Sequence, residues 1–263
     1  MRTADLPVKL LVSVTYVVMV VTNYLANALP LNGRQTGAIS DAYENLFAPA
    51  GITFAIWGLI YALLAVHILY QWGLFHKAGT ANGPLLRKIG VLFAISSVAN
   101  TVWVFAWHYD QIWLSAVLIT AILVLLGIIV VTLRDHQLSD RERWLVQLPF
   151  SVYFGWITVA TVANITVWLV SVGWDGFGIS EQVWAVIIVA VAAAIGTATM
   201  LRNRDMAYGL VLIWAFVGIL IKHVSADGFG GSYPAVIATS VVCLLVFLAA
   251  EYLVWRRRAV VTR

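Results

Sequence analysis

The chain has 263 residues, 62% of them hydrophobic and 11% charged, with a formal net charge of +4 and a mean hydropathy of +0.92. Soluble domains average about a quarter charged residues, so this composition excludes a soluble globular domain and implies an integral membrane protein whose first partner is the lipid bilayer. No nucleic-acid partner is expected, and the lone cysteine, Cys243, excludes an intrachain disulfide or a cysteine metal site.

Apolar runs of spanning length occupy about 8–29, 50–73, 85–107, 112–133, 145–171, 182–201, 207–224 and 234–255, at roughly 20 residues per crossing. Each is read as a helix, because hydrocarbon offers an unpaired backbone no hydrogen-bond partner. The predicted fold is an all-α polytopic bundle of eight transmembrane helices with both termini on one side. Fourteen of the sixteen Lys and Arg fall in the termini and the even-numbered loops, leaving Arg34 and Lys222. That asymmetry places both termini in the cytoplasm and the protein in the cell (inner or plasma) membrane.

The first run carries Ala26-Asn27-Ala28, which mimics a signal-peptidase site, but it is long enough to span and is expected to be retained. Asn23 and Asn27 fall in its outer half. The loop Leu31–Ala48 follows, holding Arg34, Asp41, Tyr43 and Glu44 as a candidate lid or rim. The second helix presents Trp57 and Tyr61 four residues apart, with His67 deeper. The third presents Ser96, Asn100, Trp103 and Trp107, and His108-Tyr109-Asp110 makes a short turn after it. In the fifth, Trp156, Ala160, Asn164 and Trp168 recur every four residues and share one helix face.

Two indoles, a small residue and an amide suit neighbouring helices, or a flat ligand among them, better than lipid tails. Asn and small residues also simply join helices, at roughly 0.6–2 kcal/mol per hydrogen bond. Four such faces at one depth point instead to a cavity of aromatic walls and few polar groups. His67 reads as a hydrogen-bonded core residue, with haem ligation as the functional alternative. Lys222-His223 and Glu251 lie near helix ends, within reach of the interface. Asp-Gly-Phe-Gly occurs at 175–178 and again at 227–230 and reads as two similar turns. The chain has no phosphate-binding Gly loop, no H-E-x-x-H and no G-x-S-x-G, and no acid or base falls at the depth of the cluster, so catalysis is not expected.

These residues resemble the tryptophan-rich sensory protein family, TspO, whose mitochondrial members are called translocator protein. The family's second helix follows a Pro-Pro loop and reads like F-G-x-x-W-x-x-L-Y; here Ala48-Pro49 leads into Phe54, Trp57 and Tyr61. Its L-N-x-x-W is matched by Ala99-Asn100-Thr101-Val102-Trp103, and its P-Y-x-x-W-x-x-x-A-x-x-x-N by Tyr153, Trp156, Ala160 and Asn164. The loop Trp is absent, Phe54 sits three residues before Trp57 and Pro149 seven before Trp156, where the family has four in each case. The resemblance covers about residues 1–170. It implies a single membrane domain with a five-helix core over 1–171 and three additional helices over 172–263.

The resemblance also implies a pocket open toward the first long loop, binding porphyrins, haem-pathway tetrapyrroles or sterols. Its contacts carry over to Trp57, Asn100, Trp103, Trp156 and Ala160, with Tyr61 and Asn164 on the same motifs. Arg34, Tyr43, Trp107 and Trp168 are the expected lid or rim, Arg34 being placed to pair with a propionate. No cofactor is required, although a porphyrin or haem ligand fits the family, and TspO proteins are often homodimers. The leading function is therefore a sensor, receptor or carrier for a hydrophobic aromatic ligand. A transporter or permease subunit is the alternative, and a tetrapyrrole- or lipid-modifying membrane enzyme the third.

Overall fold

The computed structural model describes residues 5–29, 31–75 and 83–261, with side chains as far as 257. The side chains of Arg2, Lys77, Arg258 and Arg263, all counted in the charge asymmetry, lie outside this description. Among the described residues eight helices are long and apolar enough to cross a membrane, and no strand is present. We label them α1 (Leu6–Ala28), α2 (Ile56–Gln71), α3 (Gly83–His108), α4 (Ile112–Arg134), α5 (Leu148–Ser171), α6 (Glu181–Asn203), α7 (Met206–Val224) and α8 (Pro234–Val261). They fall where hydropathy placed the apolar runs.

Local chemistry sets where several of them begin. Pro7 lies in the first turn of α1, where its missing N–H costs no hydrogen bond. Ser180 and Asp205 cap α6 and α7 by accepting from the amides of Val183 and Tyr208. The run ahead of α5 opens with a capping box between Ser139 and Glu142, followed by a π turn over Arg143–Gln147. α2 is entered through a 3-10 turn at Gly51–Ala55.

The helices group into two compact units. One takes the chain up to Ile39 together with Trp57–Phe154; the other takes Ser40–Ile56 and the chain from Gly155 onward. In the first unit α1 and α4 each pack on α3. Its core holds Met19, Leu64, Phe93, Leu126 and Phe150, with the Phe93 and Phe150 rings edge-to-face at 5.4 Å. His67 is fully buried there. Its Nδ1 donates to the Leu145 carbonyl at 3.1 Å and its Nε2 accepts from Gln71 at 2.8 Å. Both ring nitrogens are engaged, as in a hydrogen-bonded core histidine.

In the second unit α8 packs on α6 and α7, around Ala215, Ile219 and an edge-to-face Phe216–Phe247 pair at 4.9 Å. Glycines permit the close approaches: Gly155 faces Val211 and the Tyr208 carbonyl, Gly196 faces Leu212, and Gly209 faces Met200 and Glu251. The segment Ser40–Ile56 is fastened to α7 at four points. Lys222 pairs with Asp41 at 3.1 Å, His223 Nε2 donates to the Leu46 carbonyl at 2.9 Å, the Ala50 amide donates to the Gly218 carbonyl at 3.0 Å, and Trp214 Nε1 donates to the Thr53 carbonyl at 2.9 Å.

Two readings change here. His223 lies in the last turn of α7 as expected, but its side chain is fully buried between Phe229 and Tyr233 and holds the Leu46 carbonyl rather than reaching outward. Glu251 is only 8% exposed, since α8 runs on to Val261 and leaves it inside the helix against Gly209. The repeated Asp-Gly-Phe-Gly also diverges. Phe177 sits at φ +55° and is exposed, whereas Phe229 is half-buried against His223. Neighbours beyond the repeat decide each conformation.

A Cβ at Gly218 would meet the side chain of Thr53, and one at Gly37 would meet nothing within 4 Å. Gly218→Ala is therefore expected to cost about 1–3 kcal/mol, read as a lowered melting temperature in detergent, with Gly37→Ala close to wild type.

Candidate ligand site

The predicted site residues fall into both units. In the first, Asn100 is fully buried on α3 and engaged on both sides of its amide. Asn23 Nδ2 donates to its Oδ1 at 2.8 Å, and its own Nδ2 donates to the Tyr153 hydroxyl at 3.1 Å. One side chain thus ties α1, α3 and the start of α5. Trp57 stacks on Tyr61 with centroids 5.5 Å apart and meets Tyr153 edge-on at 5.9 Å. Trp103 and Trp107 stack at 5.8 Å and 18°. Among the described residues the buried Tyr61 hydroxyl and Trp103 Nε1 have no hydrogen-bond partner. They are the donors of this set available to a ligand atom.

The first part of the expected lid is fixed to the end of α3. Trp107 Nε1 donates to the Thr36 carbonyl at 3.1 Å, and Asn32 donates to the His108 carbonyl at 3.0 Å. His108 Nδ1 donates to the Leu31 carbonyl at 3.1 Å, which leaves Nε2 to accept from the Thr36 hydroxyl at 3.0 Å. Arg34 is paired with Asp110 through one of its guanidinium nitrogens.

In the second unit Trp156 is 3% exposed and packs edge-on against Phe54 at 5.8 Å. Asn164 is buried and Ala160 half-buried on the same face of α5, as the four-residue spacing requires. Trp168 is 38% exposed, in keeping with a membrane-facing indole. Tyr43 is half-buried and its carbonyl accepts from Asn45 Nδ2 at 2.9 Å.

This unit also holds a cavity of about 420 Å³ that was not anticipated. Its walls come from Glu44–Phe47, the end of α5, the turn Gly173–Ile179 and the start of α6. Trp174 and Trp184 stand 4.9 Å apart, inclined at 57°, and form its aromatic side. Trp184 Nε1 donates to the Gly176 carbonyl at 2.7 Å, and Gly176 lies at φ +64°, where a Cβ would strike the indole. The opposite wall is set by Asn45 Oδ1, which accepts from the Phe47 amide at 3.1 Å, and by the bond from His223 to Leu46. The sequence signals for this cavity were Glu44 in the candidate lid, and two tryptophans and a Gly-rich turn outside the matched motifs.

An all-helical, multi-pass membrane protein with tryptophan-rich packing and an aromatic-walled cavity is the class that these features define. The TSPO-like protein family matches residues 9–253, and the chain belongs to that family. The match runs on through α6, α7 and most of α8, beyond the stretch that carried the resemblance. No curated protein and no solved structure matches the chain.

Replacing Asn100 removes the cross-helix partner of Asn23 and the partner of the Tyr153 hydroxyl at once, leaving the Asn23 side chain only its bond to the Met19 carbonyl. Asn100→Ala is expected to destabilise the folded protein by about 1–2 kcal/mol. Asn27→Ala, which loses only a bond to the Asn23 carbonyl in its own helix, is expected to melt close to wild type. Equal melting of the two variants would show that the amide chain contributes nothing.

Proposed function

We propose that this TSPO-like protein binds a small hydrophobic ligand with a flat aromatic or polycyclic body and acts as its receptor, sensor or carrier. Tetrapyrroles, haem among them, and sterol-like molecules are the candidates that the family resemblance brings. The observation that carries the reading is the cavity of about 420 Å³ beside Trp174 and Trp184. Small-molecule sites are typically about 300–1,000 Å³, mostly apolar and aromatic, with a few polar groups for orientation. The Tyr61 and Trp103 donors support a second contact region for a polar ligand atom. The charge asymmetry supports cytoplasmic termini in an inner or plasma membrane.

Transport is the second reading, favoured by one observation. Glu251 is a buried acid within a membrane span, and such residues mark substrate or proton paths. Movement of a bound probe across sealed vesicles, lost in Glu251→Gln, separates transport from binding alone.

Binding is tested by titrating the purified protein with pyrene, a neutral flat ligand, while following tryptophan emission. Saturable quenching that weakens in Trp184→Ala or Trp156→Ala, and not in Trp113→Ala on the exposed face of α4, is the expected result. Non-saturating quenching of equal size in all four proteins would mean partition into detergent and would contradict the reading.

A further inference from the structure

The charge around the cavity narrows the ligand. Glu44, Asp175 and Glu181 line it, and no lysine, arginine or histidine does. Asp175 is used locally, its Oδ1 accepting from the Phe177 amide at 2.9 Å. Glu181 lies in the first turn of α6, where the helix end favours a carboxylate, so a structural reason accounts for its presence. Glu44 has no such reason. Among the described residues neither Glu44 nor Glu181 takes part in a hydrogen bond or ion pair, and both line the one cavity. The nearby cation on α7, Lys222, is committed to Asp41.

Two carboxylates beside a pair of indole faces form a site whose electrostatics favour positive charge. The ring faces attract a cation through their quadrupoles, and a cation between the carboxylates is attracted by both. We propose that this cavity binds an organic cation, an ammonium or amidinium on a flat hydrophobic body. The charged head lies between Glu44 and Glu181, and the body rests against Trp174 and Trp184. The assignment rests on the ligand-binding reading above and deepens it, since a ligand bearing carboxylates is disfavoured in this cavity by the same charges.

The test uses three probes with one body: pyrenemethylammonium, methylpyrene and pyrenecarboxylate. Each is titrated into the full-length protein in non-ionic detergent at low salt, and energy transfer from tryptophan to pyrene is recorded. The ammonium is expected to bind about tenfold more tightly than methylpyrene, and the carboxylate more weakly than both. Glu44→Gln and Glu181→Gln are each expected to weaken the ammonium by about three- to tenfold and to leave methylpyrene unchanged. Comparing variants with one probe cancels partition into micelles, and unchanged melting of Glu44→Gln, a change in an exposed loop residue, separates charge from folding. If ammonium and methylpyrene bind alike and neither Glu variant matters, the cation assignment falls while the ligand reading stands. If none of the three binds saturably, or Trp184→Ala binds as wild type does, the cavity reading itself falls.

Discussion

Hydrocarbon offers no hydrogen-bond partner, so each polar group carried into a span must find one inside the protein. The amide of Asn100 shows the consequence most directly. Placed in the second half of α3, it draws Asn23 and Tyr153 to itself and so fixes which faces of three helices meet. The same demand is met within single helices by Ser97 and Thr161, which donate to carbonyls one turn back. His67 meets it through Gln71 and the Leu145 carbonyl. Polar groups that satisfy one another in this way serve the fold, and only those left over have a reason to face a ligand.

The cavity depends on the same rule applied to loops. Glu44–Phe47 is irregular backbone that keeps its shape because His223 captures the Leu46 carbonyl and Asn45 bonds back onto its own segment. The facing turn keeps its shape because Trp184 captures the Gly176 carbonyl. Asn45 and Trp184, which shape the two walls, spend their polar atoms on backbone, so what remains around the space is largely aromatic surface and carboxylate. Aromatic surface with negative charge is thus a product of how the loops are held.

Much of this was legible in the sequence. Spans are set by composition over about 20 residues, and all eight fell where hydropathy placed them. The four-residue spacing on α5 put Trp156, Ala160 and Asn164 on one face. Asn100 was recognised as either helix joiner or ligand contact, and the structure uses it as a joiner. Periodicity carries no information about which carbonyl a distant side chain will find. The bond from His223 to Leu46 joins residues 177 positions apart, so neither the burial of His223 nor the cavity wall it supports could be read along the chain. The two Asp-Gly-Phe-Gly turns make the same point, because identical residues take different shapes beside Trp174 and beside His223. Glu251 was misplaced for a simpler reason: the apolar run stops at about 255, and the helix continues to Val261.

The central claim is that a hydrophobic aromatic ligand occupies the cavity bounded by the first long loop, the end of α5 and the start of α6. A diazirine-bearing pyrene, photolysed with the protein in native membranes and mapped by mass spectrometry, tests it most directly. The account predicts adducts within 44–47 and 173–188, suppressed by an excess of unmodified probe. Adducts scattered over the exposed faces of α1 and α4, and indifferent to competitor, would contradict it.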